Sequence, residues 1–112
     1  VELLGSYWAK KIGLDFRSLR YPGVVSALPP GGGTTDYIIE MYYAAANQEP
    51  YKCFLREDTA LPMIHLDDCI QGTIDFMEVD PSLLSTRVYN MPGFSVTPKE
   101  VEMQLESKEE LA

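Results

Sequence analysis

Arg20-Tyr21-Pro22-Gly23-Val24-Val25-Ser26, followed by Pro29-Pro30-Gly31-Gly32-Gly33-Thr34-Thr35-Asp36-Tyr37, is the stretch that decides how this chain reads. It reads as a strand ending in a sharp turn at Pro22-Gly23, then a glycine-rich loop that runs into a helix. In α/β chains, small-ligand contacts gather at such strand ends and helix starts. The triple glycine lets the backbone come close to a ligand. The hydroxyls of Thr34 and Thr35 and the free N–H groups of a new helix face the same spot, which suits a carboxylate or another small anionic group. The same residues also make a plain loop with a threonine helix cap, and the pattern alone leaves both readings open. Gly31-Gly32-Gly33 is not a dinucleotide fingerprint, because it lacks the G-x-G-x-x-G spacing and the closing βαβ unit.

On the N-terminal side, Glu2 to Ile12 reads as a helix. Leu3, Leu4, Tyr7 and Trp8 recur at helical spacing, and Gly13 suits a left-handed stop. Leu14 to Arg20 alternates imperfectly and reads as a strand that Pro22-Gly23 ends. On the C-terminal side, Thr34 or Thr35 caps a helix running to about Asn47, with Asp36 in its positive first turn. Tyr51 to Leu55 reads as a short aromatic-rich strand, and Leu61 to Leu66 as another extended piece. Asp67 then caps a helix through Glu78, with Ile70, Ile74 and Met77 at core spacing. Pro81 to Leu84 fits a single turn. Val88-Tyr89-Asn90 and Phe94-Ser95-Val96 read as strands either side of a Pro92-Gly93 turn. Thr97-Pro98-Lys99-Glu100 opens a last helix, with Thr as N-cap, Pro at N1 and Glu at N3. The order of elements predicts an α/β fold.

At 112 residues the chain is at most one domain, long enough for a modest core but too short for a complete doubly wound dinucleotide-binding enzyme. A net charge of −8 argues against nucleic acid or an anionic membrane as partner. Cys53 and Cys69 have no metal-like spacing and fit reduced, buried thiols of an intracellular protein. No apolar run reaches the ~18 residues of a membrane span. His65 is the single histidine, with no nucleophile motif and no second ligand placed for a metal.

Taken together, LDFRSLRYPGVVS…PPGGGTTDY, FLREDTALPMIHLDDC and YNMPGFSVTP, in this order, resemble the L-threonine 3-dehydrogenases. Those are NAD-dependent members of the extended short-chain dehydrogenase/reductase (epimerase/dehydratase) family. The likeness runs from about residue 2 to residue 100. It departs at Ala60, where the family usually carries Arg before Leu-Pro-Met.

The resemblance implies the C-terminal portion of a Rossmann-like doubly wound parallel sheet plus part of the small substrate-binding region. Residues 1–112 then form a partial NAD(P)-binding domain without its dinucleotide-binding half. It implies that Pro22 and Val24 lie at the nicotinamide edge and that Gly33, Thr34, Thr35 and Asp36 meet L-threonine. Tyr7 and Lys11 match the family's Tyr-x-x-x-Lys pattern. However, the family's pair sits near the start of this helix, ahead of a stretch like Val1-Glu2-Leu3-Leu4-Gly5. The expectation is therefore that no catalytic residue lies in this chain and that the Tyr/Lys pair falls upstream of Val1. The resemblance further implies NAD as cofactor, a homodimer formed through the Glu2–Ile12 helix, and a mitochondrial or, in a bacterium, cytoplasmic setting. Two other readings stand beside it: a nucleotide-sugar epimerase or dehydratase of the same family, and a non-catalytic truncated product.

Overall fold

The computed structural model describes residues 1–28 and 32–111, with side chains as far as residue 107. Its centre is the strand Leu61–His65, β3, whose successive side chains face opposite sides. Met63 points to one face, where it meets Tyr37, Ile38 and Val101. Ile64 points to the other, where it meets Cys69 and Met91. The residue alternation of one strand thus creates two separate cores.

Around β3 lie two short strands. Gly23–Val25, β2, pairs parallel to it with Gly23 opposite Met63 and Val25 opposite His65. Phe94–Val96, β5, pairs antiparallel on the other side. A second sheet holds only Ser18–Arg20, β1, and Val88–Asn90, β4, paired parallel. Four helices complete the fold: α1 Glu2–Ile12, α2 Tyr37–Ala46, α3 Leu66–Glu78 and α4 Pro98–Leu111. Helices α2 and α4 cover the Met63 face, and α3 packs on the Ile64 side. The molecule is elongated, 57 × 25 × 22 Å. Its radius of gyration of 18.1 Å exceeds the ~13 Å expected for a compact chain of this length.

The α/β class holds, with parallel strands joined through helices. So do the Glu2–Ile12 helix, stopped by Gly13 at φ 71°, the Pro81–Leu83 turn, and the start of α4. Thr97 Oγ1 accepts the Glu100 N–H at 3.2 Å, and the Thr97 hydroxyl donates to Glu100 Oε1 at 3.1 Å.

Several local expectations are corrected. The strand expected over Leu14–Arg20 is regular only from Ser18, because Asp15 and Arg17 spend their polar groups elsewhere. Arg17 Nη1 donates to the Phe76 and Met77 carbonyls at 2.6 and 3.1 Å, at the C-terminal end of α3. Asp15 accepts from both Arg17 and Arg87. These two guanidinium groups hold the Asp15 carboxyl below its ordinary value. Pro22-Gly23 does not reverse the chain. The backbone leaves the first sheet after Arg20 and enters the second at Gly23, so the pair marks a change of sheet.

Tyr51–Leu55 is irregular rather than a strand. The Tyr51 hydroxyl bonds Glu40 of α2, and burial followed by that carboxylate pushes the phenol above its ordinary value. The segment is thereby tied across a helix instead of along a sheet edge. The α3 cap is His65, not Asp67: its Nδ1 accepts the Asp67 N–H at 3.2 Å. Ile70, Ile74 and Met77 are not core residues. They are 49%, 42% and 69% exposed, while Cys69 of the same helix is buried and Gly72 lies against Met91.

Candidate functional site

The predicted site residues sit on two elements, β2 with the residue before it and a short 3-10 turn, Thr34–Asp36, that leads into α2. Thr34 and Thr35 do not cap a long helix directly. Gly33, in extended conformation, precedes the turn, and the α-helix proper begins at Tyr37. Pro29, Pro30 and Gly31, read as the front of the glycine-rich loop, lie outside the described residues.

The turn is closed from within. Asp36 Oδ2 accepts the Gly32 and Gly33 N–H groups, both at 2.6 Å. Two backbone donors that a ligand carboxylate could use are thus engaged by the chain's own carboxylate. Thr34 remains exposed, and Thr35 is half-buried. The hydroxyl of Thr34 is therefore the more open contact of the two.

Gly23 brings the two elements together. A methyl group built on Gly23 would stand 2.5 Å from Thr35 Cβ and Oγ1 and 2.7 Å from Met63 Sδ. The turn rests on the backbone of β2 where no side chain intervenes. Pro22, half-buried, lies just before this contact. Val24, one residue on, packs toward Ile64, Cys69 and Met91 on the opposite face. The structure therefore joins Pro22-Gly23 to Thr35 and directs the Val24 side chain into the second core. Among the ladder pairings of the described residues, β2 is an edge strand, so one row of its backbone groups lacks a strand partner.

The signal for the Gly23 contact is visible in the sequence, since glycine inside a strand often marks close backbone approach. The His65 cap has a weaker one, a polar side chain directly before Leu66-Asp67-Asp68. Tyr7 and Lys11 lie on exposed α1, with the Lys11 ammonium 5.5 Å from the Tyr7 ring centre. Tyr7 also meets Trp8 edge to face. Among the described residues no group of His, Cys, Asp and Glu is placed to hold a metal, and no helix is long and apolar enough to cross a membrane. Cys53 and Cys69 are unpaired thiols, the first half-buried and the second buried.

In sequence and fold the chain is similar to GalE-like, epimerase/dehydratase-type proteins. Within that group the chain is similar, over nearly its whole length, to L-threonine 3-dehydrogenases. A bovine protein named as the mitochondrial L-threonine 3-dehydrogenase is 45% identical over 105 residues, covering 93% of this chain and 28% of the bovine one. The GalE-like L-threonine dehydrogenase of Cupriavidus necator superposes with a TM-score of 0.91 at 44% identity, over 96% of this chain and 35% of that one. An uncharacterized epimerase/dehydratase of Staphylococcus haemolyticus is 39% identical over 107 residues, 94% of this chain and 34% of its own. The chain thus spans about a third of the length of the relatives it matches. No protein-family model matches it. The Rossmann-like α/β class and the resemblance to threonine dehydrogenases drawn from the motifs both hold.

Proposed function

We propose that this chain is a segment of an NAD-dependent L-threonine 3-dehydrogenase, forming the substrate-side wall and the edge of the nicotinamide pocket. Residues 1–112 are then part of an epimerase/dehydratase-type domain whose dinucleotide-binding half and Tyr/Lys pair lie outside this sequence. The single observation that carries the reading is the contact of the Thr34–Asp36 turn with Gly23 of β2, within a segment that matches threonine dehydrogenases in sequence and fold.

The residues present suit one end of the cofactor only. The unpaired edge of β2 beside Pro22 offers backbone donors and acceptors of the kind a carboxamide needs, whereas no glycine fingerprint is available for a pyrophosphate. NAD held here would supply the hydride acceptor for oxidation at C3 of threonine, with the hydroxyl proton passing to the Tyr of the Tyr/Lys pair that lies outside this sequence. Pro22 and Val24 fix the backbone beside the nicotinamide. Gly33, Thr34 and Thr35 hold the amino acid, and Asp36 keeps the turn closed so that the Thr34 hydroxyl stays aimed outward. Orientation of this kind is how a wall without a proton-transfer group contributes to rate. In this reading α1 forms a homodimer contact, and the compartment is mitochondrial or cytoplasmic according to the source.

The epimerase or dehydratase alternative needs cations for a nucleotide-sugar pyrophosphate. All four arginines are already engaged with carboxylates: Arg17 and Arg87 with Asp15, Arg20 with Glu2, and Arg56 with Asp58. With a net charge of −8 and the compact Gly-Thr-Thr loop, that favours the smaller substrate.

The test uses the full-length protein that carries this segment. Thr34→Val and Thr35→Val should lower kcat/KM for threonine roughly tenfold to a hundredfold, the cost of one hydrogen bond to a charged group. NAD affinity should stay nearly constant, and Tyr7→Phe should be silent. Loss of activity in Tyr7→Phe with both threonine variants unchanged would overturn the assignment. Isothermal titration of the 112-residue chain with NAD should show no saturable micromolar heat.

A further inference from the structure

We infer that Gly23 is a positioning residue: the absence of a side chain there sets the spacing between the substrate-side turn and the nicotinamide-side strand. The catalytic meaning of this rests on the threonine dehydrogenase reading; the spacing itself does not.

The Gly23 backbone is not in the left-handed region, where φ is positive at only Gly13, Gln48 and Gly32 among the described residues. Conformational freedom is therefore not the reason for a glycine at this position. Space is. The vacant Cβ position lies 2.5 Å from both Cβ and Oγ1 of Thr35, far inside van der Waals contact. Thr35 Cβ is bonded directly to the backbone of the turn, so it cannot swing aside as a long side chain can. The third neighbour, Met63 Sδ at 2.7 Å, belongs to a fully buried residue with no room to retreat.

Something must move when a methyl group is added, and the two sides differ in stiffness. β2 is held in register by β3, with Gly23 opposite Met63, and β3 is itself held by β5. The turn is three residues of 3-10 structure braced by its own Asp36 carboxylate. The turn is the softer partner. A methyl group at position 23 thus displaces Thr34 and Thr35 while leaving Pro22 and the strand edge in place. The expected signature is a split between the two substrates rather than a general loss.

Steady-state kinetics of Gly23→Ala in the full-length protein reads this directly. KM for threonine should rise about tenfold, with KM for NAD within twofold of the parent. Gly23→Ala/Thr35→Ser should leave the threonine KM raised, because serine keeps the Cβ that the new methyl group meets; full recovery would overturn the Cβ contact as the cause. Equal changes in both KM values, or none in either, would overturn the inference. If Gly23→Ala fails to fold, Gly23→Ala/Thr35→Gly removes the Thr35 Cβ that the methyl group meets and should fold; a variant that still failed would place the clash at Met63 and overturn the inference. Amide hydrogen exchange separates the two ideas. A parent protein inert toward threonine would sink the functional reading, yet Gly23→Ala should still accelerate exchange over Thr34–Tyr37 and leave Val24–Val25 unchanged. Uniform or absent acceleration in that experiment would sink the spacing inference by itself.

Discussion

The two faces of β3 are built to different standards. On the Met63 face, α2 and α4 close over Tyr37, Ile38, Met63 and Val101, and seven further apolar residues pack around them. On the Ile64 face, only Ile64, Cys69 and Met91 are buried, with Leu19 and Val24 beside them. The helix on that side, α3, carries Ile70, Ile74 and Met77 outward, and Leu3, Leu4 and Ile12 are likewise exposed on α1. A row of exposed apolar side chains along two helices is more than scattered surface hydrophobicity and marks a face suited to contact. The Met63 face holds the larger buried cluster, while α3 turns much of its apolar stripe to solvent. The candidate-site strand touches both faces: Val25 packs on the Met63 face and Val24 on the Ile64 face.

The sharpest way to break the contrast is at its centre. Met63→Ala should cost about 2–5 kcal/mol, the range for emptying a buried methionine site, read by urea denaturation. A loss below about 1 kcal/mol would mean that the Met63 face is not the stabilising core. Gly93→Ala comes next. A Cβ there would run into the Met63 carbonyl, and overpacking of this kind costs about 1–3 kcal/mol; the same denaturation curve measures it. Thr97→Ala removes the cap of α4, the helix that covers Val101, and should cost about 1 kcal/mol. The opposite half is sharpened by Ile74→Ser/Met77→Ser. Stability should move by no more than about 0.5 kcal/mol, while light scattering should show less self-association than in the parent. A large loss of stability in that variant would show that the α3 face is core after all.

The smallest effect belongs to Asp15. Arg17 and Arg87 depress its carboxyl below the ordinary 3.8, so its contribution is present above that value. It is lost as pH falls through the depressed folded value. The thermal midpoints of the parent and Asp15→Asn should therefore differ slightly near neutrality and converge only in strong acid, below about 4. A gap that persists at the lowest pH would mean that the substitution acts through something other than charge.

What could be read from the residues was governed by how local each signal is. Gly13 after a helical run, and Thr97-Pro98-Lys99-Glu100, declare a helix stop and start within four residues, and both are observed. Period alone could not say which face of α3 is covered. Ile70, Ile74 and Met77 share a stripe, yet the contact falls on Cys69 and Gly72, because Met91 arrives from a distant strand. Tyr51–Leu55 has strand composition but pairs with no strand among the described residues, and its tyrosine bonds Glu40 of α2. Pro22-Gly23 carries ordinary turn statistics, and only the third dimension shows the chain passing from one sheet to another there. The candidate site was legible as a pair of segments. Their meeting at Gly23 and Thr35, and the capture of Gly32 and Gly33 by Asp36, depend on geometry that spacing does not encode.

The joint at His65 has a mechanical consequence. β3 ends at His65 and α3 begins at Leu66, so strand and helix share one rigid corner with no slack between them. At 1.5 Å per residue the thirteen residues of α3 make a rod of about 20 Å. Its far end is clamped by Arg17, which grips the Phe76 and Met77 carbonyls from the segment leading into β1. The rod therefore acts as a strut, welded to one sheet and pinned to the other. Among the described residues the two sheets share no ladder bonds, yet a tilt of β3 by a few degrees is carried about 20 Å away as a displacement of β1.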